Sequence, residues 1–487
     1  MLSIVICHSY FLRFDPKQQE RAKPYPPLAT LQVAALLRRA GHDVALFDAM
    51  LAEDLDGYHG ALRSRRPQLV VLYEDNFNFL SKMCLGAMRR AACEMIGAAR
   101  DAGVRVLAAG SDVSDAPEPY LRAGADATLA GEGITALLAL VERLDAQPNV
   151  PLYQLASRIG GVSVLTNDAV VTARRASEPH SGQHEVAPAW DLVDMDRYRA
   201  VWMKAHGYFS LNVAASRGCS FRCTWCAKPI WGNRYLQRGA AAVAAEIVAL
   251  RESFGVEHIW FADDIFGFRT DWVLEFARAM HASGSTVPFT IQTRADLVSE
   301  PMARGLREAG CAEAWIGAES GSQKVLDAMN KGTTVAELLT ARSRLAAAGV
   351  RVGFFIQLGY LGEESADIEA TRRLIDEARP DDIGVSVAYP LPGTRFFELV
   401  REQLGRKTHW DDSGDLAMMF EGTYTSGFYR AIRNLLHEQV AIGNRDREFR
   451  TTACLAERNL WQRRWHEVMS REHEFRTGPA VPSAATV

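Results

Sequence analysis

Three cysteines crowd into eight positions of the 487-residue chain: Cys219, Cys223 and Cys226, in the run SRGCSFRCTWCAKPIWG. The C-x3-C-x2-C spacing lets three thiolates on one short loop converge on a soft metal centre. A tetrahedral structural zinc site would need a fourth ligand, and no Cys or His follows at zinc-finger spacing. Iron–sulfur clusters of the cubane type normally take four thiolates. A set of three therefore points to a cluster with one iron left open to substrate. Buried structural cysteines are the competing reading. The other five, Cys7, Cys84, Cys93, Cys311 and Cys454, stand singly in apolar surroundings, where a free thiol packs as a small hydrophobe.

A reactive loop needs a rigid frame, and the chain beyond the cysteines has the pattern of one. Strands are expected at Leu211–Ala215, His258–Ala262, Phe289–Thr293, Ala314–Ala318, Val352–Leu358 and Ile383–Tyr389, separated by helix-like segments such as AAAVAAEIVALRESFG and ADIEATRRLIDEARP. Six β/α units over residues 207–395 predict a partial TIM-like barrel, or another α/β sheet, with chemistry at the carboxyl ends of its strands. The cysteines directly follow the first of these strands.

Residues 1–146 also alternate short apolar runs with amphipathic stretches, from LSIVIC through LATLQVAALLRRAG to ITALLALVERL. That predicts a Rossmann-like, doubly wound parallel sheet with helices on both faces. Ligands on such sheets bind at the carboxyl ends of the strands. Those ends carry Ser9, Glu74, Asp75, Gly110, Ser111 and the turn Gly131-Glu132-Gly133. No G-x-G-x-x-G follows the first strand, so the nicotinamide fingerprint is missing. Residues 147–206 read as a linker with two added strands, LYQLA and VSVLT, and residues 396–487 as a mostly helical domain. There Trp410, Asp411, Asp412, Tyr424 and Tyr429 could close over the barrel mouth, while Trp461 and Trp465 share a helical face that packs on the barrel.

Composition narrows the class. Lys and Arg number 55 against 59 Asp and Glu, a net charge of −4, which argues against general nucleic-acid binding. No apolar run approaches the ~18–20 residues of a membrane span. The start, MLSIVICHSYFLRFD, lacks a basic leader and reads as a first strand. Eight cysteines are too sparse for a disulfide frame, so a reducing, cytoplasmic location is expected.

With an aromatic residue, Trp225, before its last cysteine, the cysteine run resembles the radical S-adenosylmethionine (SAM) superfamily, over about residues 206–395. FADDIFG resembles the SAM-amino motif of that superfamily's cobalamin-dependent members, which implies SAM contacts for Asp263 and Asp264; a helix N-cap pair is the other reading. IGAESGSQKVLDAMNKGTT resembles the segment around a ribose- or carboxylate-contacting Glu-Ser pair, here Glu319 and Ser320, where Glu319 is otherwise a solvated loop residue. FFIQLGYLGE, which carries Gln357, and YPLPGT complete the series. In front of the barrel, PYPPLATL and the AGEGI turn resemble the cobalamin-binding domain of one branch, implying corrinoid contacts at Gly110, Ser111, Gly131, Glu132 and Gly133. The D-x-H-x-x-G motif of histidine-ligated cobalamin proteins is absent, since His59 follows Asp56 at another spacing. That leaves the lower axial position of cobalt open, and a Rossmann-like domain without cofactor is the alternative.

The resemblance implies that Cys219, Cys223 and Cys226 hold three irons of a 4Fe–4S cluster, with the SAM amino and carboxylate groups on the fourth. Reductive cleavage then yields a 5′-deoxyadenosyl radical. The commonest chemistry of the branch is methylation of an unactivated carbon or phosphorus centre in a small molecule, with electrons from a flavodoxin or ferredoxin. An oxidative cyclase or rearrangement enzyme would keep the same cofactors. A non-catalytic iron–sulfur or metal-binding sensor would use the cysteines alone.

Overall fold

In the computed structural model, residues 1–78, 86–156, 159–173, 186–226, 234–284, 286–405, 416–449 and 452–477 are described. Cys84 and the Trp410-Asp411-Asp412 stretch lie outside them, as does the side chain of Cys454. Strands β1 (Ser3–Cys7), β2 (Asp43–Phe47), β3 (Leu69–Tyr73), β4 (Arg105–Ala109), β5 (Ala127–Leu129), β6 (Val162–Thr166) and β7 (Ala169–Thr172) form one sheet, in the order β2-β1-β3-β4-β5-β6-β7. Strands β1 to β5 are parallel, and β6 and β7 add on antiparallel.

The apolar runs of this sheet are continuous because helices cover both faces. Ile4, Ile6, Leu69 and Val71 point into one core with the helix Leu28–Arg39, while Val5, Cys7, Val70 and Leu72 point into another with the helix Gly86–Asp101. The order reverses at β1 and β3, so the crevice that a doubly wound sheet offers to ligands opens there.

Two segments of the expected linker behave differently. VSVLT is β6, but LYQLA forms a short helix, Leu152–Ala156. Its buried residues, Leu152, Leu155 and Ala156, have helical rather than alternating spacing. The turn between β6 and β7, Asn167-Asp168, has φ of 48° and 62°, as a two-residue type I′ hairpin requires.

A second sheet begins with β8 (Ser210–Val213). After a separate two-stranded ribbon, β9 (Ser216–Gly218) with β10 (Tyr235–Gln237), it continues through β11 (His258–Phe261), β12 (Phe289–Thr293), β13 (Cys311–Glu319), β14 (Arg351–Leu358) and β15 (Asp382–Val387). Its order is β15-β14-β13-β12-β11-β8, all parallel, and among the described residues β15 and β8 do not pair. This is the expected partial barrel of six units. Outward residues such as Leu211, Ile259, Ile291, Ile316 and Phe354 pack in one core with the surrounding helices. Inside, Trp315 stacks on Phe355 with ring centroids 4.8 Å apart. Trp315 lies against its cross-strand neighbour Gly353, where a Cβ would come within 2.6 Å of the indole.

The PYPP segment seats the first sheet on the second: Asn212 Nδ2 donates to Pro26 O (3.1 Å) and Trp202 Nε1 to Pro24 O (2.7 Å). At the other end of the chain lie the helices Ser426–Phe449 and Thr452–Ser470. Trp465 Nε1 donates to Glu369 Oε2 (2.8 Å) on a barrel helix, as expected, whereas Trp461 Nε1 donates to Leu435 O (2.7 Å) on the other C-terminal helix. Tyr424 and Tyr429 are fully buried rather than laid over an open mouth. No helix among the described residues is long and apolar enough to cross a membrane.

Gly321, just past β13, touches the helix Ser365–Ala378 so closely that a Cβ would sit 2.3 Å from Ala370 O. Neither backbone can yield, so Gly321→Ala should destabilise the protein by at least the ~1–3 kcal/mol typical of overpacking. Thermal melts followed by circular dichroism would show a lowered Tm; an unchanged Tm would contradict this seating.

Candidate functional site

The cysteine loop leaves β9 and is held from several strands at once. Thr224 N donates to Met329 O (2.9 Å), Thr224 Oγ1 lies 2.6 Å from Tyr360 Oη, and Thr224 O accepts from Phe396 N (3.0 Å). Asn330 Nδ2 donates to Arg222 O (2.9 Å). The loops after β13, β14 and β15 thus fix the cysteine loop over the carboxyl end of the barrel. None of the three is in a disulfide; Cys219 is buried, and Cys223 and Cys226 are partly exposed.

Arg294, just past β12, lies over the Phe221 ring at 3.6 Å and points Nη1 at Cys223 Sγ (3.7 Å). Asp296, Lys331 O and Thr333 hold its other nitrogens at 2.7–3.1 Å. A fixed guanidinium beside sulfur balances the negative charge that a thiolate-bound cluster carries. Among the described residues, no three Cys, His, Asp or Glu side chains gather around one ion position, as a zinc site would require. A cluster instead takes each thiolate to a different iron, and three cysteines outside any disulfide, spaced along one loop, fit that demand. Two buried polar atoms nearby, Trp225 Nε1 and Gln357 Oε1, have no hydrogen-bond partner. Unsatisfied buried polar atoms are uncommon and call for a ligand or water.

The acidic residues at the strand ends divide by environment. Asp263 is fully buried, and both its oxygens are engaged, Oδ2 by Ala215 N (3.0 Å) and Oδ1 by Ser216 Oγ. It staples the bend from β8 into β9. Burial, with Asp264 adding repulsion, pushes its carboxyl up to about 7. Asp264 is the more exposed of the two. Neither caps a helix, because the next one starts at Thr270.

Glu319 is buried and paired with Lys331 Nζ at 2.7 Å, so it is not a solvated loop residue. Its φ of 58° and the register shift between Gly317 and Glu319 mark a bulge at the end of β13. Strained backbone of this kind concentrates at functional sites. A Cβ on Gly317 would lie 2.6 Å from both Glu319 Oε1 and Lys331 Nζ, so the glycine gives the pair its place. Ser320 is fully buried and bonded to Thr371 Oγ1 (3.2 Å), holding the loop against a helix.

At the carboxyl edge of the first sheet, Ser9 Oγ donates to Glu74 Oε1 at 2.5 Å, joining the ends of β1 and β3 across the crevice. Burial raises Glu74 and Asp75 above their ordinary values. Asp75 accepts from Ala29 N (3.0 Å) and Phe77 N (3.1 Å). Gly110 clears Glu74, whose Cβ would lie 2.8 Å from an added Cβ. Here too buried polar atoms lack partners: both side-chain atoms of Asn76, and Ser111 Oγ. Glu132 stands between Gly131 and Gly133, at φ of 70° and 59°, and pairs with Arg217 Nη1. Arg217 lies two residues before Cys219, so the carboxyl edges of the two sheets meet at the cysteine loop.

Residues 213–375 match the Radical SAM superfamily. The match takes in the cysteine loop and the barrel strands β11 to β14. An uncharacterized methyltransferase of Pyrococcus horikoshii is 26% identical over 379 residues, covering 77% of this chain and 78% of that protein. The anaerobic magnesium-protoporphyrin IX monomethyl ester cyclase of Cereibacter sphaeroides is 27% identical over 286 residues, 57% of this chain but only 45% of the cyclase. Among solved structures, the radical SAM methyltransferase TsrM of Kitasatospora setae, with cobalamin and a 4Fe–4S cluster bound, superposes with a TM-score of 0.65. It is 18% identical, over 83% of this chain and 76% of that one, a likeness of fold.

The sequence alone did not mark Arg217, Arg294, Lys331 or Glu363 as site residues. Arg217 and Lys331 sit inside the quoted runs SRGC and NKGTT, but only tertiary contact shows their partners. Glu363, after β14, is fully buried; Oε2 accepts from Gly359 N while Oε1 has no partner. Burial pushes its carboxyl from 4.5 to about 8. The stability that its proton contributes is complete below about pH 4.5 and is lost as pH rises through about 8. Wild-type Tm should therefore fall across that window, and Glu363→Gln, neutral throughout, should fall less. Parallel slopes for the two proteins would refute the assignment.

Proposed function

We propose that the chain is a cobalamin-dependent radical SAM methyltransferase acting on an unactivated carbon or phosphorus centre of a small molecule. The observation that carries this reading is the meeting of two edges. The three cysteines of the loop after β9 lie beside the carboxyl edge of a doubly wound sheet, joined to it by the pairing of Arg217 with Glu132. Cys219, Cys223 and Cys226 would hold three irons of a 4Fe–4S cluster. We assign Asp264, Glu319 and Gln357 to SAM, with Asp263 and Ser320 holding the backbone beneath them. The corrinoid is assigned to Asn76, Gly110, Ser111 and the backbone of the Gly131–Gly133 turn; Asn76 and Ser111 carry unsatisfied buried atoms there, while the Glu132 side chain is engaged by Arg217.

When bound, the cluster would supply the electron that cleaves one SAM to methionine and a 5′-deoxyadenosyl radical, and the corrinoid would carry the methyl group of a second SAM. The chain's own residues do the positioning. Arg294 offsets negative charge beside Cys223, and Asp263 fixes the bend that presents the cysteines. Lys331 fixes the orientation of the Glu319 carboxylate through Oε1. Apposed edges exclude water from short-lived species. Electrons come from an external donor of the flavodoxin or ferredoxin type, and the reducing cytoplasm suits such a site.

The similarity to the cyclase favours a second reading, an oxidative cyclase or rearrangement with the same cofactors. Protein reconstituted anaerobically should bind about four irons, cleave SAM under reduction and, when produced with cobalamin, hold corrinoid one to one. Cys223→Ala should abolish the cluster absorbance. With methyl-labelled SAM and candidate substrates from neighbouring genes, label in the product supports the methyltransferase, and product without label supports the cyclase reading. Failure to cleave SAM at all leaves a non-catalytic iron–sulfur protein.

A further inference from the structure

We propose that Arg217 is a positioning residue: it locks the cysteine loop in register with the carboxyl edge of the N-terminal sheet, and so sets the spacing between the two cofactor sites. The inference rests on the reading that these edges hold a cluster and a corrinoid.

The guanidinium is clamped by a helix and two turns of the first unit. Nη1 pairs with Glu132 after β5, and Nη2 donates to Gln32 Oε1 on the helix after β1. The Phe77 ring, after β3, lies 4.7 Å from the guanidinium carbon. The side chains of Arg217 and Glu132 are only 5% and 8% exposed, so solvent does not loosen the pair.

Both ends of the bridge are rigid. On the barrel side, Arg217 is in β9, paired with Leu236 of β10, and Asp263 holds Ala215 N and Ser216 Oγ just before it. On the other side, Tyr73 Oη donates to Glu132 O (2.7 Å), and Gly133 packs so closely on Leu129 that a Cβ would lie 2.7 Å from its Cβ. A guanidinium fork between two fixed points transmits direction as well as attraction, and an ammonium on a flexible stem cannot serve two acceptors in the same plane.

Elsewhere the units are joined by apolar side chains and by donations from Asn212, Trp202 and Arg197 to backbone carbonyls. Tyr198 Oη also donates to Asp48 (2.6 Å), and Arg38 pairs with Asp191; none of these contacts touches the cysteine loop. Replacing a buried ion pair by apolar residues is often tolerated, whereas removing one partner strands a charge. Arg217→Met with Glu132→Met therefore removes the register while keeping the fold.

The test compares wild type, this double variant and Arg217→Lys. Iron and corrinoid contents are measured, together with the spin–spin interaction between the reduced cluster and cob(II)alamin by electron paramagnetic resonance. Hydrogen exchange at residues 130–134 and 216–219 is measured on protein without cofactors. We expect the double variant to retain both cofactors, to lose the defined interaction, and to exchange roughly tenfold faster at both segments; Arg217→Lys should fall between. Should the double variant fail to fold by circular dichroism, Glu132→Gln replaces it with the same expectations. Unchanged exchange together with an unchanged spin interaction would overturn the proposal. If wild type takes up no corrinoid, the reading of the first sheet fails, and the exchange data alone decide the role of Arg217.

Discussion

Every charge placed in the interior of this protein has to be answered, and the site is built from the answers. An ion taken out of water costs several kcal/mol even after relaxation. The chain does this repeatedly near the carboxyl ends of its strands: Arg217 with Glu132, Lys331 with Glu319, and Arg238 with Glu246. Such pairs add little to stability compared with an apolar core. What they bring is direction, because each partner is tolerated only in the one arrangement that keeps the other satisfied. The cysteine loop lies between two of these pairs, one joining it to the first sheet and one at the adjoining bulge of β13.

Small residues work to the same end. Gly110, Gly317 and Gly133 each stand where a Cβ would collide with Glu74, the Glu319–Lys331 pair or Leu129. They let charged and apolar side chains approach the backbone closely enough to be held. Gly353 does the same for Trp315, so that the indole lies along the barrel wall. The geometry of the mouth is thus determined as much by side chains that are missing as by those present.

Much of this was legible from the residues. The six barrel strands fall where apolar runs alternate with amphipathic helices, because a parallel sheet covered by helices leaves that trace in a local window. The cysteine run and the residues at the strand ends were visible for the same reason. The helix Leu152–Ala156 was not, since five residues are too few for periodicity to separate it from a strand. The roles of Asp263 and Glu132 were also hidden. Both read as open carboxylates, yet one is spent on Ser216, 47 positions away, and the other on Arg217, 85 positions away. No local pattern encodes a partner at that separation. Where a strand ends is local information; what its last side chain touches is not.

The β6–β7 hairpin has a meaning beyond extending the first sheet. Strand β5 is only three residues long, and without β6 its outer rim of amide and carbonyl groups would face solvent unpaired. Open rims of that kind invite pairing with other chains. By folding back on itself with Ser163 and Thr172 hydroxyls in contact at 2.8 Å, the segment between the two α/β units acts as a selvedge, finishing the first sheet's edge.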